Sequence, residues 1–117
     1  MNGLGKLAEM KACEYLQKKK FKLIDVNYAS RFGEIDLIMT KGKYICFIEV
    51  KMRGENSIAS PIEFVDSAKQ RKIITTAEIY LSSHPNDLQP RFDVVEVYCK
   101  NNKIKSIKHL ENAFQLY

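Results

Sequence analysis

The segment YICFIEV, residues 44–50, is apolar at every position before Glu49. Strand side chains alternate between the two faces of a sheet, so a strand that is apolar on both faces has to be covered on both sides. That requirement selects a layered fold with this segment near the centre of a sheet. The flanking sequence supplies the layers. Residues 4–20 set Leu4, Leu7, Ala8, Ala12, Tyr15 and Leu16 at helical spacing, the mark of an amphipathic first helix. FKLIDVNYA follows as a strand near residues 21–28, and residues 33–40 and 44–51 form two more around a turn at Lys41, Gly42 and Lys43. MRGENSIAS is a polar loop, after which Ser60 reads as an N-cap, Pro61 as the first helical position and Glu63 as the far side of a capping box. The spacing predicts a second helix from there to about Ser82, burying Ile62, Val65, Ala68, Ile73, Ala77, Tyr80 and Leu81. Beyond the breaker-rich SHPNDLQP come the strand FDVVEVYCK, a turn at Asn101 and Asn102, and KIKSIKHL as an edge strand with its lysines in solvent. The order is α-β-β-β-α-β with a small C-terminal β extension, an α/β fold in one domain over residues 1–117.

No apolar run approaches bilayer length, and MNGLGKLAEMKACEYL has neither a continuous hydrophobic segment nor a small-residue cleavage site. The expectation is a soluble cytoplasmic protein with no membrane partner. Cys13, Cys46 and Cys99 are widely spaced among apolar neighbours and read as reduced core fillers. His84 and His109 stand in polar surroundings and read as surface residues. A net charge of +5 points to a polyanion as partner, nucleic acid first, although solubility alone accounts for many basic proteins. The basic residues fall in three runs: Lys18, Lys19, Lys20 and Lys22; Lys69, Arg71 and Lys72; Lys100, Lys103, Lys105 and Lys108.

Within the central hairpin, Glu34 and Asp36 share one face of their strand, and Glu49 and Lys51 share one face of the next. If Gly42 and Lys43 are the central turn residues, Lys41 pairs with Tyr44 and Asp36 stands opposite Glu49. With Lys41 and Gly42 at the centre, Glu34 faces Glu49 instead. Like charges set opposite one another destabilise a sheet, the more so where burial removes screening water. Converging carboxylate oxygens suit a hard divalent cation such as Mg²⁺, and Lys51 lies next along on the same face, within reach of a phosphate or of the water that attacks it. This combination serves phosphodiester hydrolysis. A solvated strand face, with Glu49 paired to Lys51 or Arg53, is the plainer reading of the same residues. The apolar run before Glu49 weighs against it, because a carboxylate at the end of a buried column is costly unless it is used.

Asp36 on one strand with Glu49-Val50-Lys51 on the next resembles the PD-(D/E)xK nuclease superfamily. A longer string is similar to the YraN-like family of small, endonuclease-like bacterial proteins. It runs through Glu9, Ala12, Tyr15-Leu16, Asn27, Gly33-Glu34-Ile35-Asp36-Leu37-Ile38, Phe47-Ile48-Glu49-Val50-Lys51, Arg53, Pro61, Lys69, Ala77, Tyr80-Leu81 and Arg91-Phe92-Asp93. Ala8 and Ala59 stand where that family usually has glycine. The resemblance implies a restriction-endonuclease-like core, a mixed central sheet flanked by helices. It implies Asp36, Glu49 and the backbone carbonyl of Val50 as ligands to Mg²⁺ or Mn²⁺, and Lys51 as the catalytic lysine. Glu9 is similar to the helical glutamate that archaeal Holliday junction resolvases add to this site, and Lys69 or Gln70 would face it from the second helix. The implied activity is metal-dependent endonucleolytic cleavage of DNA, branched or single-stranded, with a homodimer as the assembly that junction cleavage would need. The alternative is a nucleic-acid-binding or adaptor module that keeps the fold without the chemistry.

Supporting residues carry two readings each. Arg53 either clamps a phosphate or neutralises Glu34, and Glu34 either joins the site as an outer carboxylate or holds Arg31 or Arg53. Arg91 and Asp93 read as a structural pair. Tyr28, Phe32 and Tyr44 either stack on unpaired bases or pack within the sheet.

Overall fold

The computed structural model describes residues 3–54 and 66–115. Among these residues seven elements follow in order: α1 (Gly3–Lys18), β1 (Lys22–Ser30), β2 (Gly33–Lys41), β3 (Tyr44–Arg53), α2 (Ser67–Ser83), β4 (Gln89–Lys100) and β5 (Lys103–Phe114). The strands form one sheet in the order β1-β2-β3-β4-β5. Neighbours are antiparallel except β3 and β4, which run parallel because α2 carries the chain back between them. The result is the expected α/β architecture with a mixed sheet.

Alternation along β3 explains the two layers. Cys46 and Ile48 pack with Leu37, Met39, Val95 and Val97 against Ala8, Ala12 and Leu16 of α1. Ile45 and Phe47 pack with Ile38, Phe92 and Val94 against Ile73, Ala77 and Tyr80 of α2. Burying both faces of β3 is what its unbroken apolar run demanded.

The helices depart from expectation at their ends and faces. α1 stops at Lys18, two residues early, because Lys20 takes a left-handed φ of 76° and the Phe21 N–H turns back to the Leu16 carbonyl at 3.1 Å. Leu7, expected inside, is exposed. α2 is capped by Asp66, whose carboxylate accepts the Lys69 N–H at 2.9 Å. The expected cap at Ser60, with Pro61 and Glu63, and the expected burial of Ile62 and Val65, lie outside the described residues. Ala68 is exposed, whereas Thr76 is buried, with its hydroxyl 2.8 Å from that of Ser30.

The hairpin between β2 and β3 has Lys41 paired with Tyr44, the register with Gly42 and Lys43 at the turn. Its ladder ends at Leu37↔Ile48. Beyond that pair, β2 continues only against β1, as far as Ser30↔Gly33, and β3 continues only against β4, as far as Arg53↔Tyr98. The two central strands therefore fork, and Asp36 and Glu49 are the first residues past the split.

His109 is not on the surface. Its side chain is 2% exposed, and its Nε2 lies 2.8 Å from Asp93, inside a cluster that ties β5 to β4. Arg91 and Asp93 are paired as expected, through two hydrogen bonds of 2.9 and 2.8 Å. Cys46 and Cys99 are buried and Cys13 partly so, all three as free thiols. Among the described residues no helix is long and apolar enough to cross a membrane.

Candidate functional site

The fork sets the geometry of the acid pair. Once β2 leaves β3, the Val50 N–H has no β2 carbonyl to meet, and it donates instead to Oδ2 of Asp36 at 2.8 Å. The resemblance implies a role for the Val50 carbonyl; this contact is made by the N–H of the same residue. Glu49, in register one step further along β3, is only 7% exposed and meets Asp36 side chain to side chain. Burial, then the charge of Glu49, push the Asp36 carboxyl up to about 8, with Glu9 adding to the rise and the Val50 N–H opposing it. At neutral pH Asp36 therefore keeps its proton, which is how two acids in one dry site avoid repelling each other.

Two lysines complete the cluster. Lys69 reaches down from the first turn of α2 and closes on Oε2 of Glu49 at 2.6 Å, while Nζ of Lys51 lies 4.0 Å from the same oxygen. The two ammonium groups are themselves neighbours. Burial and the adjacent Lys69 lower Lys51 from its usual value, against the pull of Glu49. For Lys69 burial works the other way from its partners, and the hydrogen bond and charge of Glu49 win, holding it above its usual range. Of the two amines, Lys51 is the one that gives up its proton first.

Glu9 arrives from α1 on the other side of the fork. Its Oε1 accepts a hydrogen bond from Asn27 Nδ2 at 3.2 Å. Asn27 lies between the pairs Val26↔Leu37 and Tyr28↔Ile35, hence across from Asp36, and has a left-handed φ of 49°. Asparagine tolerates that backbone better than other side chains of its size. Among the described residues no three His, Cys, Asp or Glu side chains gather as a ready metal cage. The converging acids are two, Asp36 and Glu49, with Glu9 close enough to be felt by the first.

Two other expected residues, Arg53 and Glu34, fall elsewhere. Gln70 follows Lys69 on α2 and is half-buried; it is Lys69 that meets the acid. Arg53 does not neutralise Glu34. Its Nε lies 3.6 Å from Glu96, a wholly buried carboxylate that also accepts the Tyr98 hydroxyl at 2.8 Å. Glu34 is exposed, opposite Ala29, and takes no part in the acid pair. Glu96 was missed by the sequence reading, yet the signal was present: DVVEVYC sets an acid inside an apolar strand just as YICFIEV does. Asn27 was noticed only as part of a pattern, with no partner assigned. A groove of about 390 Å³ between α1 and β1 leads to Glu9 and Asn27. A larger cavity, about 540 Å³, lies at the far end of the sheet around Tyr44, Arg91 and Glu111, remote from the acids.

Comparison with known proteins agrees over nearly the whole chain. The profile of the uncharacterised protein family UPF0102 matches residues 8–97. A UPF0102 protein of Caldanaerobacter subterraneus subsp. tengcongensis is 40% identical, the alignment covering 95% of this chain and 93% of the relative. One from Psychromonas ingrahamii is 41% identical, over 97% of this chain and 91% of its own. Another, from Desulforapulum autotrophicum, is 42% identical over 96% and 93%.

Proposed function

The chain belongs to the uncharacterised protein family UPF0102, and from the acids gathered at its fork we propose that it is a metal-dependent endonuclease that hydrolyses phosphodiester bonds in DNA, with the fork between β2 and β3 as its active centre. The observation that carries this reading is the acid pair. Asp36 and Glu49 come from diverging strands, face each other, and are kept from repelling by a proton and by Lys69. A site in which two carboxylates are neutralised by displaceable groups has the donor chemistry for a hard divalent cation.

Asp36 and Glu49 would hold Mg²⁺ or Mn²⁺, with the Val50 carbonyl as a further oxygen donor and Glu9 in support. Bound there, the cation supplies positive charge where charge develops on the phosphoryl oxygens and makes water a better nucleophile. The protein supplies the rest. Lys51 gives up its proton more readily than an exposed lysine, so it can orient the attacking water and take its proton. Lys69, displaced from Glu49, would turn its charge to the phosphate. Water oxygen bonds to phosphorus, the bond to the 3′ oxygen breaks and that oxygen takes up a proton, leaving a 3′ hydroxyl and a 5′ phosphate.

Cleavage of branched, flapped and single-stranded DNA with Mg²⁺ or Mn²⁺ tests the proposal. Asp36→Asn and Lys51→Ala should each lower the rate by about 10²–10⁴-fold. Equal rates in all three proteins would sink it. One observation favours a second reading, a DNA-binding module without chemistry: the acids are already neutralised from within, by the proton on Asp36 and by Lys69. That module would bind DNA in a salt-sensitive way, cut none of it, and be indifferent to Asp36→Asn.

A further inference from the structure

The large apolar side chains exposed among the described residues lie on α1, on β1 and at the β1–β2 turn, and Phe32, at that turn, is the one aromatic among them. The residue is 44% exposed, with the Arg31 guanidinium over its ring at 4.9 Å. The turn beneath is fixed. Ser30 Oγ accepts the Phe32 N–H at 3.1 Å and lies 2.8 Å from Thr76 Oγ1 on α2. Gly33 sits so close to α2 that a Cβ there would meet Lys72 Cβ at 3.2 Å, so the hairpin is seated on the helix through a position that has no side chain to spare.

The seat also places the ring relative to the acids. Lys69 of α2 touches Glu49, and Lys72 and Thr76 touch the hairpin root, which at ~1.5 Å per residue is about 5–10 Å further along the helix. Phe32 and Asp36 are four residues apart, ~13 Å of strand at ~3.3 Å per residue, and a DNA strand advances ~3.4 Å per nucleotide or more when extended, so the turn stands about two to four nucleotides from the acid pair. A rigid exposed aromatic with a cation on its face stacks well on a nucleobase, and a base can reach it only when unstacked from its own neighbour.

We infer that Phe32, with Arg31, is a stacking site for an unpaired DNA base beside the phosphodiester at the fork. This rests on the nuclease reading and narrows its substrate to DNA with a gap, flap, branch or single strand.

The test is binding without divalent metal, so that cleavage plays no part. Wild type, Phe32→Ala and Phe32→Trp are titrated with a gapped duplex, carrying 2-aminopurine in the gap, and with the continuous duplex. Phe32→Ala should lose about tenfold in affinity for the gapped DNA, abolish the 2-aminopurine response and leave duplex binding unchanged, with Phe32→Trp restoring both. Equal losses on both DNAs, or no loss on either, would overturn the inference. The two readings fail separately. Loss of discrimination in Phe32→Ala together with cleavage unaffected by Asp36→Asn would remove the nuclease and leave the stacking site. Cleavage dependent on Asp36 with discrimination unchanged in Phe32→Ala would do the reverse.

Discussion

At the scale of single residues, Asp36 makes the clearest pH-dependent contribution. It holds its proton to about pH 8 in the folded chain, against 3.8 for an ordinary aspartate. Between those values the folded state binds one proton more than the unfolded state. The stability Asp36 contributes is therefore complete below the unfolded value and is lost as pH rises toward 8. Urea unfolding across this range should show stability falling with pH, by at most about 1.4 kcal/mol per unit at the steepest point, and Asp36→Asn should flatten the fall. A stability that rises with pH in the wild type would contradict the proton on Asp36. Glu49 and Lys51 were legible because they close an apolar run, where polarity needs a reason. Lys69 could not be separated from Gln70, because a helix face is known only once the helix start is known. Glu96 breaks an apolar run in the same way, but its partner Arg53 offers from the sequence only a phosphate or Glu34, and Glu34 is exposed in the fold.

At the scale of elements, the start of α2 matters most, since Lys69 sits in its first turn and meets Glu49. Asp66 fixes that turn by accepting the Lys69 N–H. Asp66→Ala should cost about 1 kcal/mol of stability in thermal unfolding, and should weaken cleavage more than Glu78→Ala, an exposed change later in the same helix. Comparable cleavage by the two variants would mean that the cap does not hold Lys69 in place. Most elements were readable, because the unbroken apolar run of β3 and the helical spacing in α1 each point to one kind of element. The extension of β5 to Phe114 was not. It depends on Asn112 taking a left-handed φ of 52° and donating its N–H to Asp93 at 3.0 Å, after which Phe114 stacks on Phe92 at 5.1 Å. Contacts 19 and 22 positions apart leave no local signature.

For the molecule as a whole, Asp93 is the point where the last strand is secured. It accepts from His109, Arg91 and the Asn112 N–H. Burial alone would raise its carboxyl, but these donors together outweigh burial and hold it below its usual value. Its contribution is thus present above the unfolded value and lost as pH falls through the folded one, the opposite sense to Asp36. Asp93→Asn should destabilise the protein by about 3–5 kcal/mol near neutrality, as breaking a buried ion pair does. Equilibrium unfolding of the variant should also lose the wild type's decline in acid; an unchanged decline would place its origin elsewhere.

The fork itself is made from the sheet. Because its two arms are stretches of strands still zipped to β1 and β4, the crevice width follows from how far the sheet's twist has splayed them by that point. Repacking that altered the twist would change the gap between the acids without touching either one, so the spacing of the pair is set in part by apolar residues well behind it.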